Sequence, residues 1–201
     1  EGNPAKMVPW LATDHTVSAN GLVWDFKLRQ GVKFHDGSEV TAEDVVYTVQ
    51  RLLAVNRAPA APFKPILNAD SVTAPDKYTV RFTLPQPYGP FFGMIPMLAI
   101  VNPRAIKPRE ENGDWAAKWM ASNEAGSGAY KLIPESYVPL EKADLVKNDD
   151  HFMGWSDNPK AFCEDRVAAG QGNLNPRAGA AQRHNRYDRQ LPAGRPGRTH
   201  R

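Results

Sequence analysis

The sequence predicts a mixed α+β fold, a small antiparallel sheet with covering helices, and three stretches carry that expectation. Leu22, Trp24, Phe26 and Leu28 alternate with Val23, Asp25, Lys27 and Arg29, the period of two that marks a strand with one buried face. Tyr78, Val80, Phe82 and Leu84 alternate as strictly with Thr79, Arg81 and Thr83. Between them, Val45, Val46, Val49, Leu52 and Leu53 share one side of a 3.6-residue period, the signature of an amphipathic helix. Elements patterned in this way bury their apolar sides against one another as layers.

The remaining elements follow in chain order. Asn20-Gly21 opens the first strand as a tight turn and Gln30-Gly31 closes it. Val32-Lys33-Phe34 resumes extended chain up to a turn at Asp36-Gly37. Thr41 is placed to cap the helix, with Glu43 and Asp44 at its positive end. The helix runs to about Val55, where Asn56 and the prolines from Pro59 to Pro65 stop it. Asp70 to Ala74 leads into a turn at Pro75-Asp76-Lys77, making the second strand one arm of a hairpin. Asn102-Pro103 is a cap followed by proline at the first helical position, which predicts a short helix. A second helix is expected over Asp114 to Met120. Gly126-Ser127-Gly128 forms a flexible elbow before a strand at Ala129 to Leu132.

Composition divides the chain in two, residues 1–160 and 161–201. The first part carries 17 basic and 19 acidic residues, a net charge of −2, and gives no electrostatic reason to bind nucleic acid. The second carries eight arginines, no lysine and three acids, a net charge of +5, with few large apolar side chains. Such a segment cannot offset its own ordering entropy; it reads as disordered, or as the product of a shifted reading frame. A basic arm for nucleic acid is the rival reading of this tail. The longest mainly apolar run, Phe91 to Val101, is eleven residues broken by Gly93 and Pro96, well short of the roughly 20 residues of a membrane span. The lone Cys163 excludes an internal disulfide framework.

No catalytic constellation emerges. Glu43 and Asp44 are adjacent on a helix and diverge by about 100°, so capping explains them better than shared chemistry. His35 beside Asp36 could be read as a dyad, yet a tight turn accounts for the pair more simply, and no nucleophile elbow accompanies it. Gly126-Ser127-Gly128 precedes a strand rather than a helix, which rules out a phosphate cradle. The expectation is therefore a binding protein with no metal, no cofactor and no catalytic step.

One long ordered motif then narrows the reading. Gly21-Leu22-Val23-Trp24-Asp25-Phe26-Lys27-Leu28-Arg29-Gln30-Gly31-Val32-Lys33-Phe34-His35-Asp36-Gly37, followed by Val40-Thr41-Ala42-Glu43-Asp44-Val45, resembles the signature of the family 5 extracellular solute-binding proteins, the dipeptide, oligopeptide and nickel receptors of bacterial ABC importers. Lys77 to Leu84, Phe91 to Pro103, Gly126 to Leu132 and Leu145 to Gly154 resemble later landmarks of the same family, in the same order. The resemblance runs from about Val8 to Lys160. It implies part of the first lobe of a periplasmic-binding-protein type II-like receptor, with the export signal and the second lobe lying outside this fragment.

By the same resemblance the partners are a dipeptide or oligopeptide and the transmembrane subunits of a permease, and the compartment is the periplasm. A nickel chelate, an oligosaccharide or another small solute is the alternative within the family; a non-functional fragment or a nucleic-acid-binding interaction module is the alternative outside it. Met97, Asn102 and Tyr130 are the implied ligand contacts. Core packing for Met97 and Tyr130, and helix capping for Asn102, explain the same residues equally well.

Overall fold

A computed structural model describes residues 8–155 and the backbone of 167–168, all within the first of the chain's two units, Glu1–Ala169. The expectation of a disordered or frame-shifted tail over 161–201 falls outside the described residues, apart from the backbone of 167–168.

Four strands form an antiparallel sheet in the order β1 (Ala12–Val17), β2 (Val23–Leu28), β4 (Thr79–Thr83), β3 (Val72–Asp76). Register in the central pair places Asp25 opposite Arg81 and Phe26 opposite Val80. The two sides of the sheet therefore differ as the alternation requires. On the outer side Arg81 grips Asp25 with two hydrogen bonds of 2.7 and 2.6 Å, and Lys27 donates to Thr79 at 2.6 Å. On the inner side Phe26, Leu28, Val80 and Phe82 are buried. Phe26 meets Phe82 edge-on at 5.8 Å, and Phe82 meets Phe91 at 5.4 Å. Each such apolar side chain contributes roughly 1.5–3 kcal/mol on burial.

Helix α1 (Ala42–Val55) covers this inner side. The Asp44 carboxylate accepts from the Thr41 backbone N–H at 2.7 Å and its hydroxyl at 3.0 Å, a cap that fixes the helix start. Asn56 ends it in the left-handed region at φ 54°, a conformation asparagine tolerates better than most residues. Val45 and Val49 pack on the sheet. Tyr47 turns the other way, into a second apolar group with Ile106, Ala116 and Ala125, so α1 is buried on two sides rather than one.

The chain then runs through a helical turn α2 (Phe91–Met94) and the short helix α3 (Pro103–Ile106). Asn102 caps α3 as expected, its Oδ1 accepting from the Arg104 N–H at 3.0 Å. The helix expected over Asp114 to Met120 is not formed. Trp115 and Ala116 have φ of 54° and 51°, which no right-handed helix accommodates. Asp114 instead gathers the N–H groups of Glu111, Ala116 and Lys118 around its carboxylate, and only a single 3₁₀ turn follows at Trp119–Ala121. Side-chain capping of local N–H groups has outcompeted the helical ladder here.

Past the glycine elbow, a second antiparallel sheet takes the order β5 (Tyr130–Leu132), β6 (Asp144–Lys147), β7 (Val167–Ala168). No helix of the described residues is long and apolar enough to cross a membrane.

Candidate functional site

Edge strand β1, the inner side of the first sheet and the chain from Phe92 to Ile100 together line a partly open cavity of about 480 Å³. Its floor is Phe26, Leu28, Val80 and Phe82, with Val45 of α1 behind. Phe92, Ile95, Leu98 and Ile100 form the wall; Trp10, Asp14 and His15 are at the mouth. The His15 ring lies 4.3 Å from that of Phe92 in a stacked arrangement, and it also stacks on Phe26 at 5.9 Å. A cavity with this lining can host apolar or aromatic groups and offers polar contacts only at its rim. Among the described residues no group of histidines, cysteines and carboxylates could hold a metal ion.

A polar junction lies between the turn that precedes α1 and the elbow that leads into β5. Asp36 accepts from the Ser38 N–H at 2.9 Å, the Ser38 hydroxyl at 2.6 Å and the Asn102 amide at 2.6 Å. Burial raises its pKa, but these bonds outweigh it and hold the carboxyl below the usual range. Arg104 lies 3.3 Å from Asp44, joining α3 to the cap of α1. His35 does not pair with Asp36, in keeping with a structural turn, in which the Gly37 N–H donates to the Phe34 carbonyl at 2.9 Å. The ring turns toward the elbow instead. Nδ1 is 2.7 Å from Glu124 Oε2, and Nε2 is 2.9 Å from the Gly128 carbonyl. Nothing in the sequence near His35 signals a partner 89 residues away.

Residues 6–167 match the family described as bacterial extracellular solute-binding proteins, family 5 middle. The chain belongs to that family. It is similar to the probable D,D-dipeptide-binding periplasmic protein DdpA of Escherichia coli, 38% identical over 152 residues, which are 75% of this chain and 28% of the relative. It is also similar to the periplasmic oligopeptide-binding protein OppA of Salmonella typhimurium, 34% identical over 171 residues, which are 76% of this chain and 29% of that protein. Among solved structures, the periplasmic binding protein DppA from Helicobacter pylori in complex with the peptide STSA superposes with a TM-score of 0.65 at 28% identity, covering 88% of this chain and 36% of that one. MoaA from A. tumefaciens R10 in complex with mannopinic acid gives 0.69 at 25% identity, covering 92% and 35%. The chain thus spans less than a third of these curated relatives. The family match runs seven residues beyond Lys160, to Val167 at the start of β7.

The three contact residues implied by the resemblance occupy three different settings in this family 5 chain, and none of them is in the described lining of the cavity. Met97 is 58% exposed, although its neighbours Pro96 and Leu98 line the wall. Asn102 is 1% exposed, its amide donating to Asp36 and Ser38 and its carbonyl holding the start of α3. Tyr130, on β5, packs against Trp155 with ring centroids 5.5 Å apart. Sequence reasoning missed the cavity mouth altogether, because β1 was not expected as a strand.

Proposed function

We propose that this chain forms part of one lobe of a peptide-class receptor of an ABC importer, acting outside the cytoplasmic membrane to capture solute and hand it to a permease, with no bond-making step. The lobe portion in this reading includes residues 6–167, the stretch that matches the family, and so passes the boundary at 160 that composition marks. The observation that carries the reading is the 38% identity sustained over 152 residues with a probable D,D-dipeptide-binding protein. The apolar cavity fits it, since a receptor for varied peptides benefits from roomy apolar space that makes few directional demands on side chains. Met97 and Tyr130 are the candidate solute contacts. Asn102, whose polar atoms are committed inside the fold, acts by holding its segment in place.

A graft tests the proposal. Residues 6–167 replace the matching stretch of the E. coli D,D-dipeptide-binding relative, and dipeptide binding is measured by calorimetry. The chimera is expected to bind within about tenfold of the parent, which is about 1.4 kcal/mol, and to release the peptide unhydrolysed. A chimera that melts cooperatively yet binds no dipeptide, or one that cleaves it, overturns the reading.

A further inference from the structure

The His35 ring, 9% exposed, is held between two oxygens that can only accept. A carboxylate and a backbone carbonyl have no proton to give, and they lie 2.7 and 2.9 Å from Nδ1 and Nε2. A neutral imidazole carries one N–H and would leave its other nitrogen lone pair facing an oxygen at hydrogen-bond distance. Only the imidazolium donates from both nitrogens at once. We propose that His35 is a proton-loaded clip that ties the turn before α1 to the Gly126–Gly128 elbow, so that one proton sets how firmly the first sheet is fastened to the second.

The surroundings make this clip a junction rather than a surface pair. Glu124 Oε2 also accepts from the Gly126 N–H at 2.8 Å, and the His35 N–H donates to the Gly126 carbonyl at 2.9 Å. The Gly128 carbonyl that faces Nε2 also accepts from the Asn148 side chain at 3.0 Å. The Asn148 N–H in turn donates to the Ala129 carbonyl at 2.9 Å. Both ends of the elbow therefore depend on groups that meet at the ring.

Two charged side chains, Glu124 and Lys131, bear on the titration of the ring. Burial opposes charge on the ring, but the bonds to Glu124 and Gly128 outweigh it and raise the pKa above the ordinary 6.5; Lys131, whose Nζ donates to the His35 carbonyl at 3.3 Å, pulls the other way. Glu124 is raised by burial and lowered further by the bonds from His35 and Gly126, for a net fall below 4.5. His151, beyond β6, is lowered by burial and then by the charge on His35. Asp36, adjacent in the turn, directs its carboxylate to Ser38 and Asn102. With the folded pKa of His35 raised, the clip is complete below about 6.5 and is lost as pH rises through the higher folded value. With that of Glu124 lowered, the pair holds on the acid side until pH falls through the lowered carboxyl value.

The experiment is an NMR titration of histidine Hε1 signals in the full 201-residue chain, with His35 assigned in the wild-type chain by through-bond connectivity from its backbone. The His35 midpoint is expected above 6.5 and is expected to fall in Glu124→Gln. Amide exchange, corrected for its intrinsic pH dependence, is expected to show Asn148 losing protection across that midpoint while Phe26 and Phe82 keep theirs. A midpoint at or below 6.5 in the wild-type chain overturns the proposal, and so does Asn148 protection that ignores the titration. The wild-type curve decides even if a variant does not fold, and neither readout depends on which solute is bound.

Discussion

The inner side of the first sheet and the polar junction at the elbow are built on opposite principles. The first is a set of apolar side chains brought together by local periodicity: Phe26, Val80 and Phe82 are buried because each strand alternates. The second is a set of polar groups brought together by tertiary structure alone, with Asp36 bonded to Asn102 and His35 to Glu124 across 66 and 89 residues. Apolar burial is non-directional and tolerates some repacking. A polar junction built around the buried Asn102 is less tolerant, since removing one partner leaves the other unsatisfied. The family 5 chain thus gets its bulk stability from one region and its fixed geometry from the other.

Substitutions sharpen that contrast. Phe26→Ala is expected to have the largest effect, a loss of ~3–5 kcal/mol for deletion of a buried aromatic, read from the denaturant midpoint at constant slope; an unchanged midpoint would remove Phe26 from the core. Asn102→Ala is expected to cost ~1–3 kcal/mol, because the α3 cap and the donor to Asp36 are lost together. A cost for Asn102→Ala equal to that of Phe26→Ala in the same urea titration would erase the distinction between the two regions. The smallest effect belongs to the partly exposed Glu39, whose carboxylate takes bonds from Lys77 and Tyr78 at 2.7 Å each. Those bonds, Lys77 first, lower its pKa to about 2. Its contribution is therefore present above 4.5 and lost as pH falls toward 2. Glu39→Gln is expected to melt slightly below the parent at neutral pH, with the gap closing in acid; a gap that persists at pH 2 would contradict the assignment.

What could be read in the sequence follows the same division. The β2 and β4 alternation, the α1 start at Thr41 and the Asn102-Pro103 cap were legible because each depends on neighbours within a few residues. Phe26, Leu28, Val80 and Phe82 were legible with them as the inward positions of those strands, but that they also floor a cavity was not. Strand β1 was not, for Ala12 and Val17 are the only apolar residues in Ala-Thr-Asp-His-Thr-Val, and its extended form comes from pairing with β2. The missing helix at Asp114 fails for a related reason: a carboxylate claiming three N–H groups decided the backbone. The contact between His35 and Glu124 leaves no periodic trace at all.

The two rims of the first sheet are not equivalent. At one rim β3 carries Pro75, which has no N–H to offer, and its register slips between Thr73 and Asp76. The missing N–H discourages a newcomer from docking there. At the other rim β1 also shifts register, between Ala12 and Asp14, but it has no proline, and five of its six residues are exposed. Among the described residues its only neighbour is β2. An extended segment laid along β3 would meet the missing N–H of Pro75, a gap that β1 does not present.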